Sequence, residues 1–240
     1  MRCHHIAIVS TAALLAGACS VGSAEDAGPS ASRSFTVGDF DGIAVSGPFD
    51  VNVATGKAPS VSVQGPQKLV DTMEVVVENG TLRIRTKQKT MLSFFSRGSG
   101  HATVTVSARQ INDAAIAGSG GINLDRVSGE RFAGQISGSG DLRVGDVQVR
   151  DVAMKIAGSG SATLAGKAEN ATYSISGSGD LDGSKLVATN ARASIAGSGD
   201  LKAQATGTAQ ASIAGSGDIE ITGGAKCQSS KQGSGDIRCS

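Results

Sequence analysis

Ile195-Ala196-Gly197-Ser198-Gly199-Asp200-Leu201 is followed eighteen residues later by Ile213-Ala214-Gly215-Ser216-Gly217-Asp218-Ile219, and this recurrence decides the reading of the chain. The Gly-Ser-Gly triplet begins at Gly118, Gly138, Gly158, Gly177, Gly197, Gly215 and Gly233, so the spacings are 20, 20, 19, 20, 18 and 18 residues. A near-constant period of this length marks a stacked repeat. Two residues before the triplet stand Ile116, Ile136, Ile156, Ile175, Ile195 and Ile213, and the last copy carries Lys231. Six residues before it stand Asn112, Phe132, Val152, Ala171, Ala191, Ala209 and Cys227. On the far side, Ile122, Leu142, Ala162, Leu181, Leu201, Ile219 and Ile237 are followed two residues later by Leu124, Val144, Leu164, Gly183, Ala203, Ile221 and Cys239.

Every second position flanking the bend is therefore apolar or small, which is the strand period with one face buried. Each repeat reads as strand, Gly-rich bend, strand and return. One such rung cannot bury its inner face alone, but a stack of rungs can. The expectation is an all-β parallel solenoid of about seven rungs of 18–20 residues over 111–240. At about 4.8 Å per rung it rises roughly 34 Å. Glycine at the bend avoids a Cβ where φ is positive or stacked backbones approach closely.

Composition agrees. The 240 residues hold 34 glycines, no tryptophan and one tyrosine, so a core must be thin and repeated rather than built on large anchors. A formal net charge of +1 gives no basic field for nucleic acid.

Residues 34–110 read as short strands that cap or continue the stack. Phe40, Ile43, Val45, Phe49, Val51 and Val53 alternate with polar residues around Gly47-Pro48. Val75-Val76-Val77, Asn79-Gly80, then Leu82 and Ile84 is a hairpin pattern, because both turn residues tolerate positive φ. Gly98-Ser99-Gly100 looks like a degenerate bend, which favours continuity with the solenoid over a separate domain. Met91-Leu92-Ser93-Phe94-Phe95 reads as a cap on the first rung, with an exposed apolar contact loop as the other reading.

Residues 1–18 read as an export signal: Arg2 supplies the positive end and Ile6 to Leu15 the short apolar stretch. Ala16-Gly17-Ala18-Cys19 fits both an ordinary cleavage site and a lipoprotein box with Cys19 as the lipidated residue. Leu15 lies one position too far back for the usual box. Residues 19–33 are rich in Ser, Ala and Gly and read as a flexible tether. Export places Cys227 and Cys239, six residues either side of Gly233, in an oxidising compartment. The expectation is a disulfide across the last rung, with metal ligation as the rival; no histidine lies near.

Asp180, Asp200, Asp218 and Asp236, with Asp141 earlier, follow the triplet and form a carboxylate ladder. Calcium is one reading. The other, preferred here, is that Ser and Asp side chains cap backbone N–H groups at the bend. The nine-residue calcium-binding roll has half this period. No P-loop lysine follows the glycines, no cofactor motif is present, and His101 is the one histidine beyond the export signal. No catalytic residues are assigned.

The stretch Phe40-Asp41-Gly42-Ile43-Ala44-Val45-Ser46-Gly47-Pro48-Phe49-Asp50-Val51, with Gly120-Gly121-Ile122-Asn123-Leu124 and the repeated triplet, resembles the putative auto-transporter adhesin, head GIN domain family. The likeness covers residues 35–240. It implies a right-handed β-solenoid, a bacterial envelope or secreted location, often a lipoprotein signal, and no catalytic residues. The expected function is a non-enzymatic binding or adhesion module for a surface ligand or envelope component, with a membrane link through Cys19 if it is lipidated. A purely structural envelope lipoprotein is the alternative, and a polysaccharide-active enzyme a weaker one. Ser174, Ser194 and Ser212 are expected in register on one outer face, and Tyr173 is expected to point inward.

Overall fold

The computed structural model describes residues 29–87 and 102–240. It is a parallel β-solenoid of about six turns. Strands β8 (Asp113–Gly118), β9 (Gly121–Gly138), β10 (Asp141–Gly158), β11 (Ser161–Gly177), β12 (Asp180–Gly197) and β13 (Leu201–Gly215) stack in sequence order, followed by β14 (Ile219–Thr222), β15 (Lys226–Gly233) and β16 (Ile237–Cys239). The isoleucine before each triplet pairs in register from Ile116 through Ile136, Ile156, Ile175 and Ile195 to Ile213, and each is buried.

The expected rung of two strands and a return is incomplete. Nearly the whole turn is strand, and a third inward stretch lies between the two expected ones. It carries Val127, Val147 with Val149, Leu186 with Ala188, and Ala205, all buried. The alternation that reveals a strand is broken beside it, as at the exposed pair Asp125-Arg126, so periodicity around the triplet did not extend to it. This stretch also absorbs the change in repeat length. Register slips between Thr163 and Ala165 and between Gly183 and Val187, while the triplet side stays in step throughout.

The triplet corners stack through their main chains. Ser139, Ser159, Ser178 and Ser198 each donate their N–H to the first glycine carbonyl of the preceding copy at 2.9 Å. Gly177 has φ +126°, and a Cβ there would run into the Gly158 main chain.

The N-terminal strands share the same sheet and core, but not in sequence order. β2 (Gly42–Ser46) and β3 (Phe49–Ala54), joined at Gly47-Pro48, lie directly under β8 and β9. β6 (Thr81–Thr86) and β7 (Ala102–Ser107) then pair with the opposite edges of β2 and β3. The later segment is thus the outer turn, and the chain steps over β2–β3 to begin β8. Beyond this turn the pairing becomes antiparallel. β4 (Ser60–Pro66) lies on β7, β1 (Ser30–Phe35) on β4, and β5 (Met73–Glu78) on β6.

The β5–β6 hairpin turns at Asn79 (φ 51°) and Gly80 (φ 76°), as its sequence predicts. Two details depart from the sequence reading. Residues 67–72, read among short strands, form the helix α1 (Gln67–Thr72), whose Val70 alone is buried. β1 begins inside the stretch expected to be tether, with Arg33 paired against Val63. The export signal, Cys19, Met91 to Phe95, Gly98-Ser99-Gly100 and His101 lie outside the described residues.

Candidate functional site

Two outer faces flank the triplet corner. On the face before it, Ser174, Ser194, Ser212 and Ser230 are successive partners in parallel strands, so the three expected serines stand in register and a fourth extends them. Their hydroxyls repeat at about the strand spacing of 4.8 Å. Beside them run Ser176, Ala196, Ala214 and Gln232, and together these two columns line a shallow depression. The side chains are short over these turns, where one turn earlier the same column carries Lys155, and the main chain beneath Ser174, Ser194 and Ser212 is fixed by ladder bonds on both sides. Ser194 Oγ donates to the Tyr173 carbonyl at 3.3 Å, while the outermost residues, Ser176 and Ala196, are exposed.

On the face after the corner, the aspartate column is a capping chain. Asp180 Oδ1 accepts the N–H of Asp200 at 3.1 Å, Asp200 that of Asp218 at 3.1 Å, and Asp218 that of Asp236 at 2.8 Å. Each carboxylate is turned along the stack onto the next main-chain donor. Asp236, at the end, instead meets Lys231 at 3.5 Å and Arg238 at 3.8 Å. Among the described residues, no group of three His, Cys, Asp or Glu side chains converges as a metal would require.

The next outward column is one that sequence reasoning missed: Asp182, Lys202, Glu220 and Arg238 pair in register, alternating in sign. The signal was legible in the strand period, two residues after each aspartate. Asp182 is held below its ordinary value, first by the hydroxyl of Ser184, which donates at 2.6 Å. A second missed ladder runs along a corner. Asn170 donates to Asp151 at 2.8 Å, Asn190 to Asn170 at 3.0 Å, and Thr208 to Asn190 at 2.7 Å.

Tyr173 points into the core, where burial raises its phenol pKa and its hydroxyl has no hydrogen-bond partner. Gly183 explains how the ring fits, since a Cβ at that inward position would meet the Tyr173 hydroxyl at 3.0 Å. Cys227 and Cys239 form the expected disulfide with their Cα atoms 6.5 Å apart. Both are exposed, and among the described residues no further turn covers the inward side of the last rung.

These geometries offer hydrogen-bonding surface rather than an enclosed reaction site. The depression on the serine face holds no acid, base or thiol.

A family model described as "Putative auto-transporter adhesin, head GIN domain" matches residues 39–225, which leaves β15, β16 and the disulfide beyond it. A crystal structure described as a putative adhesin from Bacteroides fragilis NCTC 9343 superposes with a TM-score of 0.79 at 21% identity, covering 88% of this chain and 97% of that one. One described as a putative lipid binding protein from Parabacteroides distasonis ATCC 8503 gives 0.67 at 24% identity, covering 89% and 97%. A putative adhesin from Parabacteroides merdae ATCC 43184 gives 0.63 at 19% identity, covering 89% and 97%. At these identities the likeness is one of fold. No curated protein matches the chain.

Proposed function

This chain belongs to the putative auto-transporter adhesin, head GIN domain family, and on that premise we propose that it is an exported, non-enzymatic binding module of the cell envelope. The observation that carries the reading is the register of Ser174, Ser194, Ser212 and Ser230 on one exposed face. A periodic hydroxyl surface on a rigid support has already lost its conformational freedom before binding, which lowers the cost of holding an extended partner. A polysaccharide strand lying across the turns is the partner such a face suits best, because its hydroxyls exchange donors and acceptors with serine.

The leader supports export. Arg2, the apolar run Ile6 to Leu15 and Ala16-Gly17-Ala18 form a cleavable signal, and Cys19 is the residue that would carry a lipid. Intact mass of the protein recovered from its cell envelope tests this. Loss of residues 1–18 with an added acyl mass on Cys19 supports the lipoprotein form, loss without it the secreted form, and an uncleaved N-terminus contradicts export.

Binding of the purified protein to immobilised envelope polysaccharides and to phospholipid vesicles tests the function. Saturable polysaccharide binding is the expected result. Vesicle binding alone would transfer the reading to a lipid surface, the ligand class in the description of the P. distasonis structure. Binding to neither would leave a structural envelope protein. In the same reading the aspartate ladder caps main-chain donors, so calcium and chelator should give the same melting temperature; a large rise with calcium would make the ladder a metal site.

A further inference from the structure

Among the described residues the sheet has four terminal strands, β1, β5, β15 and the three-residue β16, and they are protected unequally. An exposed strand edge is a template for another chain unless charge, polarity or a covering element blocks it. β15 is blocked: Lys231 replaces isoleucine at an inward position, and the disulfide crosses the rung. β1 is polar, with Arg33 near its centre. β5 is of the same length, but its charges, Glu74 and Glu78, flank an apolar centre. It reads Met-Glu-Val-Val-Val-Glu, it pairs only with β6 among the described residues, and its three valines are all partly exposed.

Within β5, Glu74-Val75-Val76-Val77-Glu78 is the same in both directions. Antiparallel pairing with an identical strand about Val76 would set Val75 against Val77, Val76 against itself and Glu74 against Glu78. In a two-fold interface residue i meets j and j meets i, so here the valines meet valines and each glutamate faces a glutamate. The acidic pairs are already neutralised. Arg85 reaches Glu74 at 2.7 Å and Glu78 at 3.3 Å, and Arg83 reaches Glu78 at 3.0 Å. Two copies would bring each glutamate together with these arginines, so the joined patch carries no net charge.

We propose that β5 is a homodimerisation edge, joining two copies of this chain through a two-fold axis at Val76 into one continuous sheet. A single strand pair lies at the low end of specific interfaces, so the association should be concentration-dependent. Such a dimer would present two serine faces and bind a multivalent surface more tightly than one.

Sedimentation velocity of the purified protein over rising concentration tests the proposal, with Val76→Glu and Val76→Lys as probes. Val76 pairs with Arg83 across the hairpin on the outward face, so V76E adds an opposite-charge neighbour within the monomer while placing like charges at the two-fold axis. The wild-type protein is expected to double in mass as concentration rises. V76E and V76K alone should stay monomeric with unchanged circular dichroism, and an equimolar mixture of the two should restore the dimer. A wild-type protein that is monomeric throughout, including one whose β5 amides resist hydrogen exchange under cover of its own chain, would overturn the proposal. So would a dimer that V76E leaves intact, or a mixture that fails to restore it.

Discussion

At the N-terminal end the stack is closed by apolar chain laid over it, whereas at the C-terminal end the last rung itself turns polar and is clasped by a disulfide. β4 brings buried Val61 and Val63 onto β7 in antiparallel register, and β5 packs Met73 into the same core. Among the described residues the far end has no such cover. Its rung places Ser229 and Lys231 where Tyr173 and Ile175 stand three turns earlier, and every residue of β15 is exposed. One end gains stability from burial, about 1.5–3 kcal/mol for each large apolar side chain removed from water. The other gives up that gain, avoids an adhesive apolar edge, and restrains fraying covalently. A repeat can therefore stop either by being covered or by ceasing to need cover, and the middle turns need neither device.

The largest effect should come from the middle turns. Gly177→Ala puts a Cβ into the Gly158 main chain at positive φ and is expected to cost about 4 kcal/mol or prevent folding. Gly129→Ala, also at positive φ (131°) but with open space around its Cβ, should cost about 1–2 kcal/mol. Urea midpoints compare the two, and equal losses would mean that close stacking of the corners is not what demands glycine.

Next come the ends. Cys227→Ser with Cys239→Ser should lose about 3 kcal/mol of loop-closure stabilisation, confined to residues 226–240. Val63→Ala should cost about 2 kcal/mol and lower protection across β4 and β7. Hydrogen exchange read segment by segment separates these outcomes. Loss of protection throughout the chain in the cysteine variant would show that the clasp supports more than its own rung.

How much of this contrast could be read beforehand depends on what repeats. The Ile ladder, the glycine corner and the paired cysteines were legible because each rests on a fixed offset from the triplet. The third inward stretch was not, since Val127, Val147 and Leu186 follow breaks in alternation and its length varies from turn to turn. The insertion of β2–β3 beneath β8–β9 was also hidden. Local strand patterns are indifferent to which neighbour they pair with, and only the tertiary register decides it. On the candidate site, the serine column was visible, and the alternating Asp182, Lys202, Glu220 and Arg238 column was equally available but went unread.

Smaller effects are expected in the core. Tyr173→Phe removes a buried hydroxyl that has no partner, and its melting temperature should be unchanged or raised, by up to about 1 kcal/mol of stability. A marked loss would reveal a hydrogen bond the ring makes with buried water. The smallest effect is electrostatic. Because Ser184 holds the folded Asp182 below its ordinary value near 3.8, this carboxylate contributes stability above about pH 4 that is lost as pH falls through the lower folded value. Asp182→Asn should therefore remove a small part of the acid-side decline measured by stability against pH. An unchanged acid limb would contradict that assignment.

Under the proposed binding role the middle turns present the serine face, and binding to immobilised envelope polysaccharide puts that role to the test. The wild-type protein, a Ser194→Arg/Ser212→Arg variant that blocks the face, and a Lys202→Ala control on the other outer face are compared. Saturable binding is expected, falling at least about tenfold, or roughly 1.4 kcal/mol, in the double variant and unchanged in the control. Equal binding by wild type and double variant would contradict it.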